Sequence, residues 1–163
     1  SLDIATFGLV LAIVYLISDV GSVFGGWMSS QLMRQGRSLN FARKITMLVC
    51  ALATLPYLFI NQVHDLWLAT LLVGLVAAAH QAFSANLYTL PGDVFPRAAV
   101  GSVIGIGGML GGVGGMIMAK SVGQVLETAG GYGPIFAVCA GIYLLALAVV
   151  HVLTPKMDPV AKL

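Results

Sequence analysis

An all-α membrane protein with five spanning helices is the fold class that this sequence predicts, and three observations carry it. Of 163 residues, 59% are hydrophobic and only 9% are charged, against roughly 25% charged in an average soluble domain. Mean hydropathy is +0.98. Charge-free stretches run from Ile4 to Ser18, Ile45 to His64, Leu66 to Gly92, Ala98 to Ala119 and Thr128 to Pro155, and a spanning helix needs ~20 mostly apolar residues. The alternating ~10-residue segments of a transmembrane barrel are absent, and no signal peptide opens the chain.

The first helix is expected at about residues 5–32. It carries Ser18, Ser22 and Gly26 with Gly21 and Gly25 beside them, small residues at the spacing that lets membrane helices approach closely. The connector MRQGRSLNFARK holds Arg34, Arg37, Arg43 and Lys44 with no acid, and short loops rich in Lys and Arg stay cytoplasmic. The second helix, about residues 45–61, reads ITMLVCALATLPYLFI. Having almost nothing polar, it is expected to face lipid, with Pro56 as a kink that a partnered carbonyl would relieve.

The third helix, about residues 66–90, ends in LPGDVFPR. Pro91, Gly92 and Pro96 should break it near the cytoplasmic side, leaving Asp93 to pair with Arg97 or another loop cation as a gate or loop anchor. The fourth, about residues 100–125, has a four-residue ridge at Gly107, Gly111, Gly115, Ala119 and Gly123, with shorter ones at Gly101/Gly105 and Gly108/Gly112. Its GIGG lacks the full GxGxxG spacing and a preceding strand, so the glycines read as close packing. The fifth, about residues 133–153, is as oily as the second and is also expected to face lipid. Cys50 and Cys139 fall in different apolar segments, as small core residues.

These connectors agree with one orientation. The stretch from Asn61 to Asp65 and the loop ETAGGYG hold no Lys or Arg and read as external, whereas Asp93 to Arg97 and a tail with Lys156 and Lys162 fall on the cytoplasmic side. The N-terminus is therefore expected outside and the C-terminus in the cytoplasm. Five helices so arranged fit a six-helix half lacking its first, because secondary transporters repeat helices in groups of three and six. The chain is accordingly expected to be a fragment.

Asp19 stands near the centre of the first helix, where a charge costs at least ~2.5–3.5 kcal/mol on insertion scales. Two readings stay open for it: a proton-coupling carboxyl, or a structural one hydrogen-bonded to a neighbouring helix. On the third helix, His80, Gln81, Ser84 and Tyr88 share a face by i, i+3 and i, i+4 spacing. Imidazole, amide and hydroxyl groups suit a polyhydroxylated ligand, whose hydroxyls both donate and accept; the competing role is interhelical bonding, worth ~0.6 kcal/mol per contact. Asn86 and Thr89 lie on a different face, and both helix packing and ligand contact are open to Asn86. Lys120 is placed to snorkel to the interface, and His64, Asp65 and His151 sit near helix ends. Metal-ligand spacing and a nucleophile–base pair are both missing, so no enzyme, cofactor, metal or nucleic-acid partner is expected.

GSVFGGWMSSQLMRQGRSLNFARK and HQAFSANLYTLPGDVFPRAAVGSVIGIGGMLGGVGGM together resemble the C-terminal half of major facilitator superfamily transporters. The resemblance is strongest to the hexuronate (galacturonate and glucuronate) transporters of the anion:cation symporter family. It covers nearly the whole chain and implies the eighth to twelfth helices of a twelve-helix fold. It further implies proton-coupled uptake of a sugar-acid anion across the bacterial inner membrane by alternating access between two six-helix halves. In that fold the eighth and eleventh helices line the contact between halves, the tenth lines the cavity, and the ninth and twelfth lie outside against the bilayer. The principal anion-binding arginine and proton-carrying acids belong to the N-terminal half.

The loop motif GxxxDRxGR appears here as GWMSSQLMRQGR, with Ser30 and Gln31 at the usual aspartate and arginine, so its charge network lacks two members. Met109 stands in GIGGMLGG where related symporters often carry an asparagine, so no substrate contact carries over there. The candidate substrate contacts are His80, Gln81, Ser84 and Asn86, with Asp19 as the candidate for proton coupling. An exporter or antiporter of another solute would show an aromatic and methionine-rich cavity in place of HQxxS; a structural membrane subunit would use its polar groups only for packing.

Overall fold

The computed structural model describes residues 3–129 and 131–157; Lys162 and Gly130 of the loops discussed above lie outside them. The helices are α1 (Ile4–Arg34), α2 (Leu39–Ala53), α3 (Leu66–Val94), α4 (Arg97–Ala129) and α5 (Gly133–Leu153), and a 3-10 helix, Leu55–Gln62, continues α2. Among the described residues five spans are long and apolar enough to cross a membrane, α2 and the 3-10 helix forming one of them.

α1, α2 and α3 start where a side chain satisfies a free N–H group. Asp3 accepts from the Thr6 N–H at 2.8 Å, and the Thr6 hydroxyl together with that N–H holds its carboxyl below the usual carboxylate range. Asp65 accepts from the Leu68 N–H at 2.8 Å and Ser38 from the Phe41 N–H at 3.2 Å. Between α1 and α2 the chain turns at Gly36, φ +82°. The Gly36 N–H donates to Met33 O and the Arg37 N–H to Leu32 O, the paired bonds of a Schellman ending, which needs a left-handed residue and hence favours glycine.

Two boundaries differ from expectation. α2 begins at Leu39, so Arg43 and Lys44 lie on the helix and not in the loop; their charges are met inside the protein, as described below. α3 runs through Pro91 to Val94. It stops because Phe95, at φ −114° and ψ 150°, precedes Pro96, and a residue before proline is pushed out of the α region. Pro56 does mark a change: the helix passes into 3-10 geometry at Leu55, where Thr54 turns its buried hydroxyl onto Ala51 O and, across to α5, onto Ala140 O at 3.2 Å.

The closest packing is α1 against α3. α1 buries Ser18, Gly21, Gly25 and Ser29, a single ridge, and α3 meets it with Gly74, Ala78, Ala82 and Asn86, spaced by four. A Cβ on Gly21 would overlap Ala78 Cα, O and Cβ, and one on Gly25 would lie 2.6 Å from Ala82 Cα. Backbones this close are what small residues permit and larger ones forbid. Ser18 Oγ adds a donor to Ala77 O at 3.4 Å.

A second cluster joins α2, α3 and α5: Met47, Cys50, Ala51, Ala82, Phe83 and Leu90 are buried, with Tyr143, Leu144, Leu147 and Val150 packed on them. α2 is therefore a core helix on that side, not the lipid-facing helix its composition suggested. Lipid tails are as apolar as leucine, so composition alone does not separate the two environments. The tight partner expected for the α4 ridge is not among the described residues: none of its glycines has a neighbour within 4 Å of an added Cβ, and no residue of α4 is buried.

Candidate functional site

Three kinds of polar group lie on these helices, and the structure separates them. The first is a network at the ends of α1, α2 and α3 that meet near the cationic connector. Arg43, from the first turns of α2, donates from Nε to Asp93 Oδ2 at 2.9 Å. Its Nη1 donates to Ser29 Oγ at 3.0 Å and to Asn86 Oδ1 at 3.2 Å. The Asn86 amide N–H groups donate to Gly25 O at 3.1 Å and Ala82 O at 3.0 Å, so one asparagine ties all three helices. A guanidinium can do this because its planar fork presents five donors in fixed directions.

Of the two roles open to Asn86, the structure shows the packing one. Its side chain is fully buried, and both its donors and its acceptor are engaged within the protein. The network also answers the altered GWMSSQLMRQGR motif. Ser30 and Gln31 do not enter it; Ser29 and Arg43 do, and Asp93 pairs with Arg43 rather than Arg97. Arg43 escaped sequence reading because it stands in a run of cations that reads as a cytoplasmic loop.

The second group is the opposite face of α3. At 100° per residue, His80 and Ser84 lie about 200° around from Ala78 and Ala82, away from the α1 seam. His80 Nδ1 is 2.7 Å from the Tyr143 hydroxyl on α5, and Tyr143 also meets the edge of Phe83, centroids 5.3 Å apart. Gln81 and Ser84 are half-buried and make no side-chain hydrogen bond among the described residues; Tyr88 is exposed. Tyr143 was the member that sequence missed, a lone hydroxyl in an otherwise oily helix.

The third group is Asp19. It is exposed on α1 next to the buried Ser18, flanked by exposed Tyr15, Leu16, Val20 and Val23, and has no ion pair or side-chain hydrogen bond among the described residues. Lys120 on α4 is likewise exposed.

The Major Facilitator Superfamily profile matches residues 1–163, the whole chain. The chain belongs to the major facilitator superfamily. Over 136 residues, 83% of this chain and 31% of the relative, it is 32% identical to a hexuronate transporter of Escherichia coli. To a D-galactonate transporter from another strain of that species it is 29% identical over 147 residues, 90% of this chain and 33% of the relative. The chain thus spans about a third of the length of these major facilitator relatives. It is a multi-pass membrane protein of a transporter family, and its named relatives move sugar acids.

Proposed function

We propose that the chain is the C-terminal part of a proton-coupled symporter that carries a hexuronate-like sugar acid across the bacterial inner membrane by alternating access. The observation that carries this reading is the 32% identity to a hexuronate transporter over most of the chain. Gln81 and Ser84 support it: both keep unspent hydrogen-bonding capacity among the described residues, on the helix that carries the His80–Tyr143 pair. Sugar hydroxyls match such groups because each donates and accepts. In this reading His80, Gln81 and Ser84 face the substrate and Asn86 holds the framework beneath them. The carboxylate of the substrate is met by the N-terminal half, whose helices also cover the exposed glycine ridge of α4. The N-terminus of the chain is external.

The full-length transporter in proteoliposomes is expected to take up galacturonate or glucuronate faster with the outside acidic than with no pH gradient. Gln81→Ala and His80→Ala should raise the substrate Kd by about ten-fold, one lost hydrogen bond of ~1–1.5 kcal/mol, whereas Asn61→Ala in the outer connector leaves it unchanged. Equal Kd values for all three variants would return the α3 face to helix packing.

Asp19 is assigned to proton coupling in the same scheme. A carboxyl on an exposed face of a spanning helix is costly against lipid and requires cover from the remaining helices. Asp19→Asn should abolish accumulation driven by a pH gradient while sparing substrate exchange. Undiminished accumulation in this variant would make Asp19 a structural residue.

A further inference from the structure

α2 and α5 run antiparallel, and where the start of α2 meets the end of α5 they leave a groove of about 480 Å³. Its two ends differ in chemistry. Asn40, Lys44 and His151 line the end at the helix termini; Ile45 and Leu48 continue down α2, and Leu147 and Leu144 continue down α5. Both helices therefore change from polar to apolar in the same direction, from the membrane boundary towards its interior.

The polar end carries positive charge and unused hydrogen-bonding capacity. Lys44 Nζ donates to Thr154 O at 2.7 Å and Pro155 O at 3.1 Å, which closes the end of α5 and leaves the third of its three N–H donors without a partner among the described residues. Asn40 Oδ1 is shielded from solvent without a hydrogen-bond partner among the described residues. Arg37 lies over the ring of Phe41, 5.6 Å from its centroid, adding a second cation at the rim. Among the described residues no acid lines the groove, and the carboxylate of Asp93 is committed to Arg43.

We propose that this groove is a binding site for one anionic phospholipid, with the phosphate at Lys44 and an acyl chain lying along Ile45, Leu48, Leu144 and Leu147. A free anion would use only the cationic end, and a zwitterionic lipid brings its own headgroup cation up against Lys44 and Arg37; an anionic lipid uses both ends without that repulsion. Basic pockets between spanning helices select anionic headgroups in this way. The proposal rests on the chain crossing a bilayer, not on which solute it carries.

The test is native mass spectrometry of the full-length transporter in detergent, with phosphatidylglycerol and phosphatidylcholine of identical acyl chains added in equal amounts. Phosphatidylglycerol should be retained over phosphatidylcholine by about five-fold, the effect of one interfacial cation, and Lys44→Gln should remove that preference. Ala148→Trp fills the groove from an exposed position on α5, so the fold is left intact, and it should abolish retention of both lipids. Ile142→Trp, exposed on the opposite side of α5, should change nothing. Equal retention of the two lipids, or retention that survives Ala148→Trp, overturns the proposal. Inorganic phosphate displacing phosphatidylglycerol completely would also overturn it, leaving a headgroup-sized anion site.

Discussion

Gly21→Ala is expected to lower the melting temperature of the protein, although it adds one methyl group to a helix. The new Cβ would overlap Ala78 Cα, O and Cβ, and two of those atoms are backbone that no rotamer change can move. Overpacking a tight contact costs about 1–3 kcal/mol, and here α1 and α3 must separate along the ridge that also holds Gly25 and Ser29. Gly25→Ala, 2.6 Å from Ala82 Cα, should behave alike. Gly26→Ala is the control. Its Cβ meets nothing within 4 Å, so it gains about 0.5–1 kcal/mol of helix preference without a clash. Melting curves for the three variants decide the matter: similar temperatures for Gly21→Ala and Gly26→Ala would mean that α1 and α3 are not in backbone contact.

Hydropathy made the five spans legible because the bilayer demands a long apolar run whatever the tertiary structure, and the fifth helix falls at the expected residues, Gly133–Leu153. The ridge of α1 was legible only in part: small residues marked it as a packing helix, but the expected row Ser18, Ser22 and Gly26 gives way to Ser18, Gly21, Gly25 and Ser29, and Gly26 has nothing within 4 Å of an added Cβ. What escaped was anything settled by a distant partner. Arg43 and Lys44 read as loop cations, yet Asp93, 50 residues on, and the carbonyls of Thr154 and Pro155 allow α2 to begin six residues before Ile45. Pro91 read as a helix stop, yet α3 continues and Pro96 stops it. On α3, no pattern within the helix shows that His80 meets a tyrosine on α5. The two roles of Asn86 could not be separated without knowing where Arg43 lay. The major facilitator resemblance, carried by long stretches of side chains, was legible where these pairings were not.

Arg43→Met is expected to destabilise the protein by about 3 kcal/mol, the lower end of the range for removing one member of a buried ion pair. The side chains of Arg43 and Asp93 are 10% and 22% exposed, so Asp93 left alone recovers only part of its hydration. The same change strips a donor from Ser29 Oγ and from Asn86 Oδ1, both on buried residues. Arg43→Lys should rescue little, because one ammonium cannot reproduce the planar fork that serves all three partners. Asp93→Asn keeps an acceptor for Arg43 and leaves two of its other bonds intact, so its cost should be smaller, about 1–2 kcal/mol. If the pair acts as a unit, the double variant Arg43→Met/Asp93→Asn is less destabilised than the sum of the single changes, since no unpaired carboxylate remains. Denaturation of the four proteins measures that difference. Strictly additive losses would mean that Arg43 and Asp93 stabilise the protein independently; a large coupling makes the pair one unit, which with Ser29 and Asn86 joins the ends of α1, α2 and α3.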